Sequence, residues 1–314
     1  MSHAAVFPTA LQNKRWGDSV AYGRSVPGPM DGWIRKRDLA ISVDDLGFRQ
    51  GVTVVERLRT YGGVAFEPTR YLRRFQRGLD QLGICAPMST TRLSRLIRAC
   101  LDRNRALVDA EGDVGVTLCA TPGRAGGPGS ASSPTLLVHL NPIDHALTRS
   151  RLSHGQTLVT TAVTQQAETT WPRSIKVRSR LHYYLADQQA RVHADASDVS
   201  GILIDHDGSI TETSISNILI VMDDAVVSPL PSQVLPGVTQ EVVEEIAFRA
   251  QIPWRYARIQ PAQLLTADAV LLTGTDHGIW WANEVDGRGF AAPARGGAGE
   301  RLISLFRDSV AEAT

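Results

Sequence analysis

The chain has 314 residues, 43% hydrophobic and 21% charged, proportions that suit a globular protein with two domains of ordinary size and a substantial core. Thirty-three Lys and Arg against 32 Asp and Glu leave a formal net charge of +1, which gives no electrostatic reason for a nucleic-acid or membrane-surface partner. Cys85, Cys100 and Cys119 are odd in number and unclustered, so neither a disulfide framework nor a zinc site is expected. No apolar run is long enough to cross a bilayer and residues 1–9 carry no signal-peptide pattern, which reads as a cytoplasmic chain.

Residues 1–32 are polar, rich in Gly and Pro and without a clear period, and are expected to form an arm. Leu39–Val43 alternates like a strand, and Thr60-Tyr61-Gly62-Gly63 reads as a turn. Leu72, Phe75, Leu79 and Leu82 give the apolar face of a helix over Pro68–Leu82. That helix carries Arg70, Arg73, Arg74 and Arg77. A second helix follows Thr90, with Leu93, Leu96, Ile97 and Cys100 on one face. Val114–Ala120 and Thr135–Leu140 read as strands around a Gly/Ser/Ala-rich loop, Gly123–Ser133, which has neither the P-loop nor the dinucleotide-binding spacing. Residues 33–140 are therefore expected to form an N-terminal α/β domain. Asn141–Gly155 lacks periodicity and reads as the interdomain connection, leaving 156–314 as the C-terminal domain.

Leu158–Val163 is a strand that leads through a loop, Gln165–Arg173, to Lys176. Leu181, Tyr184, Leu185 and Val192 then recur at helical spacing. Asp205-His206-Asp207-Gly208 reads as a turn between apolar strands at Gly201–Ile204 and Ile218–Val221, with Glu212 at the mouth of the second. Val234-Leu235-Pro236-Gly237-Val238-Thr239 opens a helix whose apolar face is Val242, Val243, Ile246, Ala247 and Ala250. Ala269–Leu272 is a buried strand ending in Thr273-Gly274-Thr275, and Arg301–Val310 is a closing helix.

A partly desolvated lysine can lose its proton and form a Schiff base with an aldehyde, and a carboxylate opposite can hold a protonated ring nitrogen. Pyridoxal phosphate needs both. Taken alone, a lysine and a glutamate such as Lys176 and Glu212 read more readily as two surface residues. Ile175-Lys176, Leu185-Ala186-Asp187-Gln188-Gln189-Ala190 and Thr211-Glu212-(x)4-Asn217-Ile218 together resemble the class IV aminotransferases. These are the pyridoxal-phosphate fold type IV enzymes, among them branched-chain and D-amino-acid aminotransferases and aminodeoxychorismate lyase. The resemblance covers about Trp33 to Arg307. It implies an α+β fold of two domains with the cofactor between them, and a homodimer in which each site is completed by the neighbour. It implies Lys176 as the Schiff-base lysine and Glu212 as the partner of the ring nitrogen. Tyr71-Leu72-Arg73-Arg74-Phe75 is similar to the family's His-x-x-Arg-Leu and implies Arg74 as a phosphate ligand. Leu235-Pro236-Gly237-Val238-Thr239 is similar to Leu-Pro-Gly-Ile-Thr, which implies phosphate on Val238 and Thr239, where helix-start amides are available. Thr275 would add a hydroxyl.

The departures fall around the substrate. Val52, Thr53 and Val55 replace the Asp, second Gly and aromatic of the family's Gly-Asp-Gly-Val-Phe/Tyr-Glu, so the pocket wall at Val55 is remodelled. Thr213-Ser214-Ile215-Ser216 stands for Gly-Ser-Ser-Ser, and Asp276-His277-Gly278-Ile279-Trp280-Trp281 for Ala-Ala-Glu-Val-Thr-Pro. Asp276 and His277 are therefore candidates for substrate choice. Arg124 is either a carboxylate ligand or solvent-exposed. Arg178 and Arg180 either recognise a carboxylate or bind backbone carbonyls or a partner subunit. The implied reaction moves an amino group between an amino acid, or amine, and a 2-oxo acid; Glu56 matches many transaminases. The alternatives are a lyase that releases pyruvate on the same scaffold, or a non-catalytic relative.

Overall fold

The structure is a computed structural model that describes residues 10–25, 31–124, 133–194 and 196–312. Residues 1–9 and 26–30 of the expected arm, and most of the Gly123–Ser133 loop, lie outside the described residues. The chain forms two compact units: residues up to Ile143 with Ile175–Ser179, and Asp144–Ser174 with the chain from Arg180 onward. Neither is continuous in sequence.

The first unit contains α1 (Ala10–Gly17), β1 (Val20–Arg24), β2 (Asp31–Arg35), α2 (Leu46–Arg49), β3 (Val54–Tyr61), β4 (Val64–Ala65), α3 (Pro68–Gln81), α4 (Thr90–Arg103), α5 (Arg105–Glu111), β5 (Val114–Thr121) and β6 (Thr135–Pro142). The strands form one antiparallel sheet in the order β2-β1-β6-β5-β3-β4. Helix α3 starts on Pro68, whose missing N–H costs nothing in a first turn, and buries Tyr71, Leu72, Phe75 and Leu79 at helical spacing. It lies close on β3 because position 78 is glycine: a Cβ there would stand 2.8 Å from a Val54 methyl. Helix α4 starts at Ser89, whose hydroxyl caps Arg92 N. Both helices lie where the periodicity puts them.

The N-terminal strands do not. Leu39–Val43 forms no strand, and Ile41 and Val43 are exposed. The edge of the sheet is instead the β1–β2 pair, which begins inside the stretch expected to be an arm and runs past its end, with Tyr22 opposite Val138 of β6. Alternation is a signal of half-burial only where a neighbouring ladder exists, and β1 occupies the place beside β6.

The second unit contains α6 (His145–His154), β7 (Gln156–Thr164), α7 (Leu181–His193), β8 (Val199–Ile204), β9 (Asn217–Met222), β10 (Ala225–Pro229), α8 (Val238–Arg249), β11 (Trp254–Ala257), α9 (Pro261–Leu264), β12 (Ala269–Gly274), β13 (Gly278–Val285), β14 (Arg288–Gly289) and α10 (Ala298–Glu312). Its mixed sheet runs β11-β10-β9-β12-β13-β7-β8, with β14 beside β13. β-Branched and leucine side chains of Leu158, Ile202, Ile218, Ile220, Val270 and Leu272 pack around Trp280 as the core. Helix α6 lies in the segment expected to be a connection. It has no apolar stripe because the residue it buries is Arg151, forked onto Asp198 at 2.7 and 2.8 Å. Helix α7 packs through small residues, Ala186 and Ala190. Gly201 of β8 is required for that approach, since a Cβ would stand 2.4 Å from Ala186 O. The large apolar residues of α7, Leu181, Tyr184, Leu185 and Val192, are left exposed.

Candidate active site

Glu212 is 4% exposed, and its carboxylate is ringed by donors from four parts of the second unit. Oε1 accepts from the Tyr183 hydroxyl at 2.5 Å and Gln165 Nε2 at 2.9 Å. Oε2 accepts from Leu235 N at 3.1 Å and Asn217 Nδ2 at 3.3 Å. Each of these four donors is neutral. Burial first, and then the Glu212 charge, push the Tyr183 phenol well above its ordinary pKa, so it stays a donor throughout the neutral range. The turn after β8 carries the chain back along that strand: Thr211 N donates to Leu203 O and Leu203 N to Glu212 O. Glu212 thus lies on a return segment between β8 and β9, which are not neighbours in the sheet.

A second buried network holds the loops that carry these donors. Arg173 makes two 2.8 Å bonds to Asp205, and also donates to Gln166 O and Gln233 O. Gln233 Nε2 donates to Asp205 at 3.0 Å and to Ser209 Oγ at 2.7 Å. The Arg173 fork holds the Asp205 carboxyl well below the usual carboxylate range. Gln233 stands two residues before the Leu235 amide that bonds Glu212, so this ion pair fixes one side of the carboxylate's shell.

The start of α8 has no side-chain cap, and Val238 and Thr239 are buried there. Gly237 is needed in front of it: a Cβ would stand 2.0 Å from Asn217 Oδ1 and displace the amide that reaches Glu212. Thr275, Asp276 and His277 form the turn between β12 and β13. His277 Nδ1 is 2.7 Å from Thr148 Oγ1, and its ring meets Trp280 edge-on. Buried Thr273 Oγ1, one residue before Gly274, has no partner among the described residues. Arg180 donates to Ser214 O and stacks over Tyr183 at 4.3 Å, which ties it to the Glu212 shell.

In the first unit, Lys176 is on a short extended strap. Its carbonyl accepts from Val55 N at 2.9 Å, Arg178 N donates to Thr53 Oγ1 at 2.7 Å, and Ser179 Oγ donates to Gly51 O at 2.9 Å. The strap is therefore laid along the start of β3, and Lys176 itself is half-buried. One residue past Val55, Glu56 is fully buried and takes a fork from Arg74 at 2.7 and 2.8 Å. Arg74 is thus held by a carboxylate through its Nε–Nη2 edge. Arg124 is exposed and pairs with Asp44 at 3.3 Å.

The structure thus gathers Glu212, Val238, Thr239, Thr275, Asp276, His277 and Arg180 in one unit, and Lys176, Val55, Arg74 and Arg124 in the other. Sequence reasoning misses Tyr183 and Gln165. Each is an ordinary polar residue whose role is visible only once its bond to Glu212 is drawn. Asn217 stands in one of the sequence motifs, but the motif alone gives it no task.

A sequence model described as amino-transferase class IV matches residues 53–285. A D-alanine aminotransferase of Staphylococcus epidermidis is 28% identical over 264 residues, covering 81% of this chain and 87% of that protein. One of Bacillus licheniformis is 23% identical over 286 residues, 90% and 95% of the two chains. The fold is similar to that of the branched-chain amino acid aminotransferase of Escherichia coli, with a TM-score of 0.78 at 20% identity over 92% of this chain and 94% of that one. It is also similar to the branched-chain amino acid aminotransferase of T.th. complexed with N-(5'-phosphopyridoxyl)-L-glutamate, with a TM-score of 0.80 at 20% identity over 95% of both chains. Class IV aminotransferases use pyridoxal phosphate, which carries a ring N–H at one end and a phosphate at the other. A buried carboxylate ringed by donors suits the first, and an uncapped helix start with a buried unpartnered threonine nearby suits the second. With the match spanning residues 53–285, a stretch that includes the Lys176 strap, the Glu212 shell and the start of α8, the chain belongs to the class IV aminotransferases.

Proposed function

We propose that Lys176 and Glu212 are the residues through which this aminotransferase works on its cofactor, in moving an amino group between an amino acid and a 2-oxo acid. The observation that carries the reading is the Glu212 carboxylate, buried and held by four neutral donors. Bound pyridoxal phosphate supplies an aldehyde that takes the amino group and a ring that accepts electrons when protonated. Glu212 holds the proton at the ring nitrogen, its oxygens fixed in place by the donors Tyr183, Gln165, Asn217 and the Leu235 amide. The Lys176 amine is the base that takes a proton from the substrate carbon and the acid that returns it. Its backbone is anchored to Val55, so only the side chain moves.

The amides of Val238 and Thr239 and the Thr275 hydroxyl bind the phosphate, with Arg74 supplying the permanent charge. The fork on Glu56 gives Arg74 one fixed orientation. Val55, Asp276 and His277 shape the substrate pocket, and His277 is steadied by Thr148. Arg180 and Arg124 are the arginines for a substrate carboxylate. Arg180 is the better placed of the two, being tied to the Glu212 shell, whereas Arg124 is exposed and paired. Because the sequence relatives above are D-alanine aminotransferases, D-alanine with a 2-oxo acid is the first substrate pair to try.

The enzyme works as a homodimer. Support comes from α7, where Leu181 is 69%, Tyr184 60%, Leu185 44% and Val192 82% exposed in the single chain, an apolar face that water would not favour. Its location is the cytoplasm, with which three unbonded cysteines accord.

Borohydride reduction of the holoenzyme followed by peptide mapping is expected to find the cofactor on Lys176, and D-alanine is expected to convert it to the amine form without an added acceptor. An adduct on another lysine would contradict the assignment, and release of pyruvate and ammonia from D-serine, which carries a β-hydroxyl leaving group, with no conversion of the cofactor to its amine form would point to elimination instead of transfer. Arg74→Ala is expected to weaken cofactor binding by about ten- to a hundredfold in titration of the apo-protein, from the loss of a charge-assisted contact of about 1.5–3 kcal/mol. Because this variant also leaves Glu56 buried without its fork, at a cost of about 3–5 kcal/mol in stability, Arg74→Met with Glu56→Leu is the control. Stability recovered in the double variant without recovered affinity would support the phosphate role; recovery of both would show that Arg74 serves only Glu56. Val192→Glu with Leu185→Glu is expected to shift sedimentation from dimer to monomer. An unchanged dimer would remove α7 from the interface.

A further inference from the structure

Away from every residue assigned above, α3 and α4 present facing stripes to a cleft of about 650 Å³. Arg73 and Arg77 stand four residues apart on α3, and Arg95 and Arg98 three apart on α4, where Thr90 and Ser94 also line the cleft. All four guanidinium groups line this one cleft, and none makes an ion pair among the described residues. Their neighbours behave differently: Arg70 pairs with Glu67 at 3.0 Å, Arg74 with Glu56 at 2.7 Å and Arg105 with Asp109 at 2.8 Å. In a chain of net charge +1, carboxylates are as plentiful as cations, so four unpaired arginines around one space are not explained by a shortage of partners. Like charges one helical turn apart repel, and the start of α4 adds the positive end of a helix dipole to the same place. The cleft is thus a concentration of positive potential with planar, forked donors, the geometry that matches phosphate oxygens.

A second cavity of about 420 Å³ adjoins the first and shares Ser94 and Arg98 with it. Its lining is more apolar: Val64, Pro68, Ile97, Leu101 and Val108 contribute to it, and of these Val64, 54% exposed, and half-buried Pro68 are the ones open to a ligand. Asp102 adds one acceptor. A ligand that fills both spaces carries several negative charges at one end and a flat or apolar body with hydrogen-bond donors at the other. Each space is of the size that small molecules occupy.

We propose that the α3–α4 cleft binds a nucleoside di- or triphosphate, with the phosphates among Arg73, Arg77, Arg95 and Arg98 and the nucleoside against Val64 and Pro68. The site is separate from the residues assigned to the cofactor, so occupancy does not depend on how the aminotransferase reading fares.

The test is calorimetric titration of the cofactor-saturated full chain with ATP, pyrophosphate and inorganic phosphate at fixed ionic strength. ATP is expected to bind tightest and inorganic phosphate weakest. Arg77→Ser with Arg95→Ser is expected to weaken ATP at least about tenfold while leaving transamination and the melting temperature near those of the parent. Val64→Asp is expected to weaken ATP and leave pyrophosphate unchanged. No detectable ATP binding at millimolar concentration, or ATP binding that ignores the arginine substitutions, would overturn the site. Equal affinities for ATP and pyrophosphate, or a Val64→Asp variant with unaltered preference, would overturn the nucleoside assignment.

Discussion

A carboxylate taken out of water costs several kcal/mol unless donors replace the water, and Glu212 is almost wholly out of water. Much of the second unit is arranged around that requirement. Gln165 follows β7, Tyr183 is in the first turn of α7, Asn217 begins β9 and the Leu235 amide precedes α8, and all four end on the same two oxygens. Strand order brings this about: β9 lies inside the sheet and β7 is three places away, so the return segment from β8 has to cross the sheet end to reach them. Behind the donors, Asp205 and Arg173 hold the loops from the far side. Gly237 is a glycine because a Cβ there would run into Asn217 of this shell, and Gly201 because one there would run into the backbone of α7 at Ala186.

The first unit repeats the logic with the opposite emphasis. Glu56 is buried and is satisfied by a cation, not by neutral donors. A fork between two buried charges is a poor source of net stability, but it fixes the direction of both groups. Lys176 reaches the same strand one residue earlier through Val55, so the lysine's backbone and the Glu56–Arg74 pair share the rigidity of β3.

What could be read from the sequence follows from range. Helices α3, α4 and α10 and strands β5, β6, β7 and β12 have strong local periods and lie where those periods put them. Helix α6 has no period because its buried residue is the paired Arg151, and the β1–β2 hairpin exists because β6 accepts it as a neighbour. The exposed apolar face of α7 misleads in the other direction, since its packing is done by Ala186 and Ala190. Among the site residues, Lys176, Glu212 and Thr239 stand in contiguous motifs. Tyr183 and Gln165 do not: they lie 29 and 47 residues before Glu212, and Arg74 lies 18 after Glu56, so their bonds are tertiary facts. The four arginines of the α3–α4 cleft come from two helices, and their convergence is visible only once those helices are set side by side.

The claim on which the rest depends is that Glu212 acts as a charged acceptor toward the cofactor ring, and Glu212→Gln tests it most directly. The amide nearly preserves the shape but cannot hold a proton on a ring nitrogen, and it puts an N–H₂ among donors. The account predicts a variant that folds and still takes up pyridoxal phosphate, but whose amino-transfer half-reaction is slower by more than about tenfold, at least about 1.4 kcal/mol of lost transition-state stabilisation. A half-reaction rate within about twofold of the parent, in a variant shown to carry a full complement of cofactor, would contradict it.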